Sequence, residues 1–352
     1  MSGELVLVTG GSGFIGAHCV RHLLQAGYRV RTTVRTPGRQ ADVRALIAAA
    51  GVEPGEALSF ATADLLTDEG WPAAVAGCDY VLHVASPVPL VEPRREEDVI
   101  APARDGVRRV LAAARAAGVR RTVLTSSFAA VKFGQPGKRI FTEADWSDPA
   151  GGETMSAYAK SKLYAERAAW DLVAETAGAG FGAGPGGEGM ELAVVNPVGV
   201  FGPVLGPQPS LWADLVGKLL DGRQRAVPRM WVNVVDVRDV ADLHLRAMTD
   251  PAAAGERFLA SAGGMSLPQL AALLRDRLGD AAGKVPTRTL PDWAVRLAAR
   301  FSPRAAFVVP ELGAPRQASS DKARQLLGWR PRDAEEAVLA MATSLTGRGP
   351  DT

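Results

Sequence analysis

A doubly wound α/β fold, a parallel sheet covered by helices on both faces, is what the sequence predicts, and three observations predict it. The chain opens with an apolar run, a glycine-rich turn and a helical pattern. Strand and helix patterns then alternate as far as Val195, and a proline-rich stretch after Asn196 marks a change of character. The 352 residues suffice for one large core or two packed lobes, and 47% hydrophobic content excludes a mostly disordered chain. Lys and Arg number 40 against 38 Asp and Glu, so the net charge of +2 gives no reason to expect a nucleic acid or an anionic membrane as partner.

Glu4 to Thr9 reads as the first strand. From Gly13 apolar residues fall at helical spacing, with Ala17, Val20, Leu23 and Leu24 on one face until Gly27 ends the helix. Tyr28 to Val34, rich in β-branched residues, completes a βαβ unit before the Thr36-Pro37-Gly38 turn. Further strands are expected near 58–62, 80–84, 119–125 and 192–195, with helices around 41–50, 96–117 and 156–176. This order implies parallel strands joined by right-handed crossovers.

Pro197, Pro203, Pro207 and Pro209 then crowd a short stretch, where a smaller, sequence-interleaved substrate lobe is expected to begin. The strand and helix over 231–248 are expected to return to the edge of the main sheet. The division is therefore 1–196 with 230–250 for the main domain, and 197–229 with 251–345 for the lobe. Residues 178–189 form a glycine-rich stretch, read as a flexible surface loop. Cys19 and Cys78 are too few for a disulfide framework or a thiolate metal site, which fits a reducing, cytoplasmic setting. Neither a cleaved leader nor a membrane span is expected.

Gly10, Gly13 and Gly16 stand as G-x-x-G-x-x-G between the first strand and its helix, with Phe14 and Ile15 before the last glycine. The first permits the turn, the second lets backbone N–H groups approach a pyrophosphate, and the third lets helix and strand pack closely. The alternative is a bare structural turn. The second strand ends in Arg35, where a carboxylate would select the ribose 2′-OH of NAD. Arg39 lies one turn on, so two guanidinium groups are placed to clamp a 2′-phosphate, unless both are ordinary solvated arginines. Asp64 and Leu65, at the end of the third strand, are candidates for the adenine, although Asp64 suits a plain Asx turn almost as well.

Tyr158 and Lys162 occupy i and i+4 of a helix, about 6 Å apart at their Cβ atoms. An ammonium there is expected to lower the phenol's pKa from about 10 toward working pH and so make a usable proton donor. Ser126 and Ser127 follow an apolar strand, at the carboxyl edge where open α/β sheets place ligands. A hydroxyl there can hold a substrate oxygen, or simply start a turn. His18 and His22 also stand at i, i+4, a spacing read as a surface pair; no metal is assigned.

In order, TGGSGFIG, HVASP (83–87), LTSSFAAV (124–131), YAKSK (158–162), VNPVGVFGP (195–203), VDVRDVADLHL (235–245) and SSDKARQLLGW (319–329) resemble an extended short-chain dehydrogenase. The group is that of dihydroflavonol reductase, cinnamoyl-CoA reductase and yeast-type methylglyoxal and aldehyde reductases, and the resemblance spans nearly the whole chain. It implies a Rossmann domain binding NADP(H), a small-molecule carbonyl substrate, a monomer or homodimer, and a triad on Ser127, Tyr158 and Lys162. It also implies Ala85 and Ser86 beside the ribose and nicotinamide, Pro197 and Val200 against the nicotinamide ring, and a 2′-phosphate clamp on Arg35 and Arg39. Phe128, Phe133, Trp212 and Trp231 are candidates to line the substrate pocket, or ordinary core. Two other readings share the fold: an NAD-dependent nucleotide-sugar epimerase or dehydratase, and a dinucleotide-binding sensor without turnover.

Overall fold

The computed structural model describes residues 3–87, 95–177, 189–207, 210–302, 308–313 and 315–347. Its main layer is a seven-stranded, wholly parallel sheet. Strands β1 (Leu5–Thr9), β2 (Arg29–Val34), β3 (Leu58–Thr62), β4 (Tyr80–His83), β5 (Arg121–Thr125), β7 (Glu191–Pro197) and β11 (Arg257–Ala260) lie in the order β11-β7-β5-β4-β1-β2-β3. All five residues of β1 and of β5 are buried, as expected of strands covered on both faces. The order reverses beside β1, which places a crevice at the carboxyl ends of β1 and β4.

Side chains alternate between two cores. Val6, Val8, Leu82, Val123 and Val195 face helices α1 (Phe14–Gln25) and α7 (Val237–Thr249), with Ala17, Val20, Leu23, Val240 and Leu243. Leu5, Leu7 and Val81 face α3 (Trp71–Val75) and α4 (Glu97–Ala116), while Leu124, Leu192 and Val194 face α4 and α5 (Ala157–Ala177). A third core joins α6 (Leu211–Leu220), α8 (Leu267–Leu278) and the helix Ala334–Thr346 to a small sheet of β8 (Gly199–Phe201), β10 (Trp231–Asp236) and β12 (Gly264–Ser266).

The structure corrects the reading of 231–248. Strand β10 pairs with β8 and β12, not with the main sheet, because Val232 and Val234 are committed to the core around Phe201 and Met265. Only its following helix, α7, lies on the main layer. The edge strand there is β11, whose charged first residue hid a buried four-residue run. His18 is also buried rather than superficial, with its Nε2 2.9 Å from the Pro203 carbonyl. His22 lies 3.7 Å from Asp242. The glycine-rich stretch lies, but for Gly189, outside the described residues. Among the described residues no helix is long and apolar enough to cross a membrane, and no three His, Cys, Asp or Glu side chains are grouped to hold a metal.

Three buried imidazoles make stability pH-dependent. Desolvation lowers His83 to about 3, and His18 and His244 to about 4, from the ordinary 6.5. The unfolded chain therefore binds protons that the folded chain refuses, so stability is full above pH 6.5 and is lost as pH falls toward 4. Urea unfolding at pH 7, 6 and 5 should show a decline of roughly 1.4 kcal/mol per pH unit per histidine below pH 6. His244→Gln should flatten that slope by about one proton; an unchanged slope would count against burial of a neutral ring.

Candidate active site

Close approach decides the glycine turn. Gly10 has φ +72°, and a Cβ on Gly16 would stand 2.2 Å from the Gly10 carbonyl oxygen. Gly13 caps α1 and donates its N–H to that same carbonyl at 2.9 Å. With glycine there, no side chain among the described residues caps the first turn of α1, whose N–H groups remain available to an anion. Gly11, unremarked in the sequence, is held more tightly still: a Cβ would lie 2.2 Å from Thr32 Oγ1, which accepts from the Gly11 N–H at 3.1 Å. Phe14 stacks edge-on against His18, and Ile15 packs on the core between α1 and the sheet.

At the end of β2, Arg35 is exposed and makes no hydrogen bond or ion pair with any described residue. Arg39, on the turn Pro37–Arg39, is exposed and pairs with Asp42 at 3.3 Å. The two arginines thus flank the mouth of the turn with little to restrain them. Asp64 closes an Asx turn, Oδ1 accepting from Leu66 N–H at 3.0 Å, while Leu65 packs on Gly106 of α4. The local role is real, and it leaves Oδ2 without a partner among the described residues.

Across the crevice the Thr9 hydroxyl accepts from the N–H groups of Val84 and Ala85, both at 3.0 Å. Ala85 consequently sits against Gly10, whose added Cβ would lie 3.1 Å away. Ser86 shares a small enclosed cavity with His83, Ser126, Lys162 and Glu166. Pro197 ends β7 opposite Ala260, and Val200 is buried in β8.

Ser127, Tyr158 and Lys162 come together from two elements. Ser127 follows β5, accepts from Ala129 N–H at 3.1 Å and stands close enough to the Tyr158 phenol to act on its pKa. Lys162, one turn along α5, is buried, with Nζ 5.9 Å from the Tyr158 ring centre and no hydrogen bond or ion pair among the described residues. Burial brings its pKa from 10.5 to about 8, against the opposing pull of Glu166. The phenol departs from expectation. Tyr158 is half-buried, yet burial holds its pKa above the ordinary 10 and the nearby Ser127 hydroxyl only partly offsets this. Lys162 stands too far off, without direct contact, to pull it down.

Beneath this group lies a buried polar layer that the sequence reading missed. Glu166 is fully buried and accepts from Ser126 Oγ at 2.5 Å, Asn196 Nδ2 at 2.7 Å and Arg257 Nε at 2.5 Å. Its signal was present: Tyr158, Lys162 and Glu166 are spaced by four, so one face of an alanine-rich helix carries all three. The aromatic candidates do not converge. Phe128 packs edge-on against Phe141 in the main core, and Phe133 packs with Met155, Ala159 and Leu163. Trp212 leans on Phe201, while Trp231 belongs to β10 with its Nε1 buried and unpartnered among the described residues.

The uncapped glycine cradle, the exposed Arg35 beside it and the buried Lys162 ammonium across from it, the last two without a hydrogen bond or ion pair among the described residues, together fit a dinucleotide. The comparisons agree. The NAD dependent epimerase/dehydratase family matches residues 6–260. Cinnamoyl-CoA reductase 1 of Arabidopsis thaliana is 37% identical over 267 residues, 74% of this chain and 71% of the relative. Dihydroflavonol 4-reductase of Zea mays is 33% identical over 279 residues, 77% and 74% of the two chains. The structure of yeast methylglyoxal/isovaleraldehyde reductase complexed with NADPH superposes with a TM-score of 0.79 at 25% identity, covering 98% of each chain. The chain belongs to the NAD dependent epimerase/dehydratase family, the extended short-chain dehydrogenases, as an NAD(P)-dependent reductase.

Proposed function

We propose that this chain is an NADPH-dependent carbonyl reductase that converts an aldehyde or ketone to an alcohol. The observation that carries the reading is the convergence of Ser127 on the Tyr158 phenol, with Lys162 buried one helical turn away and without a hydrogen bond or ion pair among the described residues. The names of the relatives, reductases of cinnamoyl-CoA, dihydroflavonol and methylglyoxal, support it. Bound NADPH supplies the hydride that reaches the carbonyl carbon. The glycine turn holds the pyrophosphate, Arg35 and Arg39 the 2′-phosphate, and Lys162 a ribose hydroxyl; Ala85, Ser86, Pro197 and Val200 line the nicotinamide end.

Tyr158 donates its phenolic proton to the carbonyl oxygen as charge develops there, and Ser127 donates a hydrogen bond to the same oxygen. A phenol held above pKa 10 by burial is fully protonated at neutral pH and so is available as the acid. An epimerase would keep NAD and avoid a cation at the end of β2, so Arg35 favours the reductase.

Cofactor choice tests the clamp. NADPH should exceed NADH clearly in kcat/KM, and Arg35→Asp should reverse or abolish the preference, since a carboxylate repels the 2′-phosphate and accepts from a 2′-OH. Equal efficiency with both cofactors in the parent protein would remove the clamp.

The acid is tested with benzaldehyde, diacetyl, ethyl acetoacetate and acetophenone. Tyr158→Phe should fold and bind NADPH yet reduce the best of these at least about 100-fold more slowly, mostly in kcat, the scale of a lost general acid. Lys162→Met should weaken NADPH binding as well. Steady-state NADPH oxidation beside fluorescence titration distinguishes the two, and a Phe variant keeping more than about a tenth of parental kcat would place the acid elsewhere.

A further inference from the structure

We infer that Glu166 is a positioning residue that sets the register between the helix carrying Tyr158 and Lys162 and the strand end carrying Ser127. The inference rests on the proposed roles of those three groups. One carboxylate oxygen of Glu166 accepts from the Ser126 hydroxyl and from Asn196 Nδ2, and the same Asn196 nitrogen lies 3.3 Å from the Ser127 carbonyl. Ser127 is therefore gripped on both sides, through its neighbour's side chain and through its own backbone. The other oxygen accepts from Arg257 Nε on β11.

Arg257 is itself fixed. Its Nη1 donates to the carbonyls of Glu143 and Asp145 at 2.9 and 3.0 Å, and its guanidinium lies 3.7 Å from the Trp146 ring centre. Three donors converging on one side chain require an acceptor without a proton of its own; an amide offers a single acceptor oxygen and turns its NH₂ toward a donor. A buried ion pair adds little net stability over an apolar pair of equal volume, so stability alone gives no reason for charge at this place. Register between α5 and β5 does, because Glu166 is one turn from Lys162 and two from Tyr158.

The carboxylate also acts on Lys162. The groups facing that ammonium are Tyr158 and Glu166 from α5, neutral His83 from β4 and Ser126 after β5, while α4 presents only Ala103 and Val107. Glu166 is the one anion among them, and Arg257 reaches Lys162 only through it. Removing its charge lowers the lysine pKa below about 8, so the fall of reduction rate at alkaline pH moves to lower pH.

The test compares Glu166→Gln and Glu166→Asp with the parent, using the fastest of the four carbonyl compounds. Glu166→Gln should retain NADPH affinity within about threefold, lose at least about 10-fold in kcat, and shift the alkaline limb of kcat/KM downward by about half a pH unit or more. Glu166→Asp keeps the charge but shortens the arm by one methylene, so its limb should stay near the parent's while kcat still falls. If the Gln variant does not fold, the Asp variant carries the test alone, and parental kcat in it overturns the inference. A lower Tm with parental kcat and an unmoved limb would make Glu166 merely structural. Tyr158→Phe assayed in parallel separates the outcomes: if it stays active the triad reading fails, and if it is inactive while Glu166→Gln is normal only the positioning role fails.

Discussion

Strands β1 and β4 pair as far as Thr9 and His83, and there they must part, because one turns into α1 and the other runs on toward Ser86. Parting strands strand backbone N–H groups at the mouth of the crevice, where leaving them unsatisfied costs about 1–3 kcal/mol each. The Thr9 hydroxyl resolves this by accepting from Val84 and Ala85 together. With both lone pairs used, its own proton points toward His83 Nδ1, 2.8 Å away. The Gly10 turn, the Ala85 wall against it and the cavity beside Lys162 all hang from that one hydroxyl.

Charge is segregated along the sheet by the same logic. At the amino ends Arg121 is buried beside Glu191 and donates to the carbonyls of Ala247, Met248 and Asp250, closing the last turn of α7 with a cation where a helix dipole favours one. Arg121 is thereby spent on partners within the protein. At the carboxyl ends the pattern is reversed. Among the described residues, neither Lys162 nor Arg35 makes a hydrogen bond or ion pair, and the first turn of α1 has no side-chain cap. Stability sits at one end and binding capacity at the other, as expected where ligands occupy the carboxyl edge of an open sheet.

What could be read from sequence was what depends on local pattern. The glycine spacing, β-branched strands and the i, i+4 tyrosine and lysine all express a rule within a few residues, and each element they predicted lies within a residue or two of its place. What escaped depends on pairing at a distance. Strand β11 begins with Arg257, and no local rule says that a charge belongs inside unless Glu166, 91 positions earlier, is seen to meet it. Strand β10 and α7 form a continuous strand-helix pattern, but which sheet takes the strand is decided by packing against Phe201 and Met265. The aromatic candidates follow the same logic: Phe128 and Trp212 have good partners in the core, and side-chain type alone does not reveal which face a short segment presents.

The phenol's pKa moves up rather than down because a spacing shows proximity and not dielectric. Burial moves both groups toward neutrality, Tyr158 upward and Lys162 downward, whereas mutual attraction alone would move them the opposite way. Desolvation therefore outweighs a charge 5.9 Å from the ring centre, and the resting pair is a neutral phenol beside a weakened ammonium. On the proposed reading this favours one direction of chemistry. Reduction needs the phenol to hold its proton until an oxygen bearing developing charge arrives, and that oxygen supplies what the dry pocket lacks. Oxidation needs the phenolate first, which the pocket resists until pH is high.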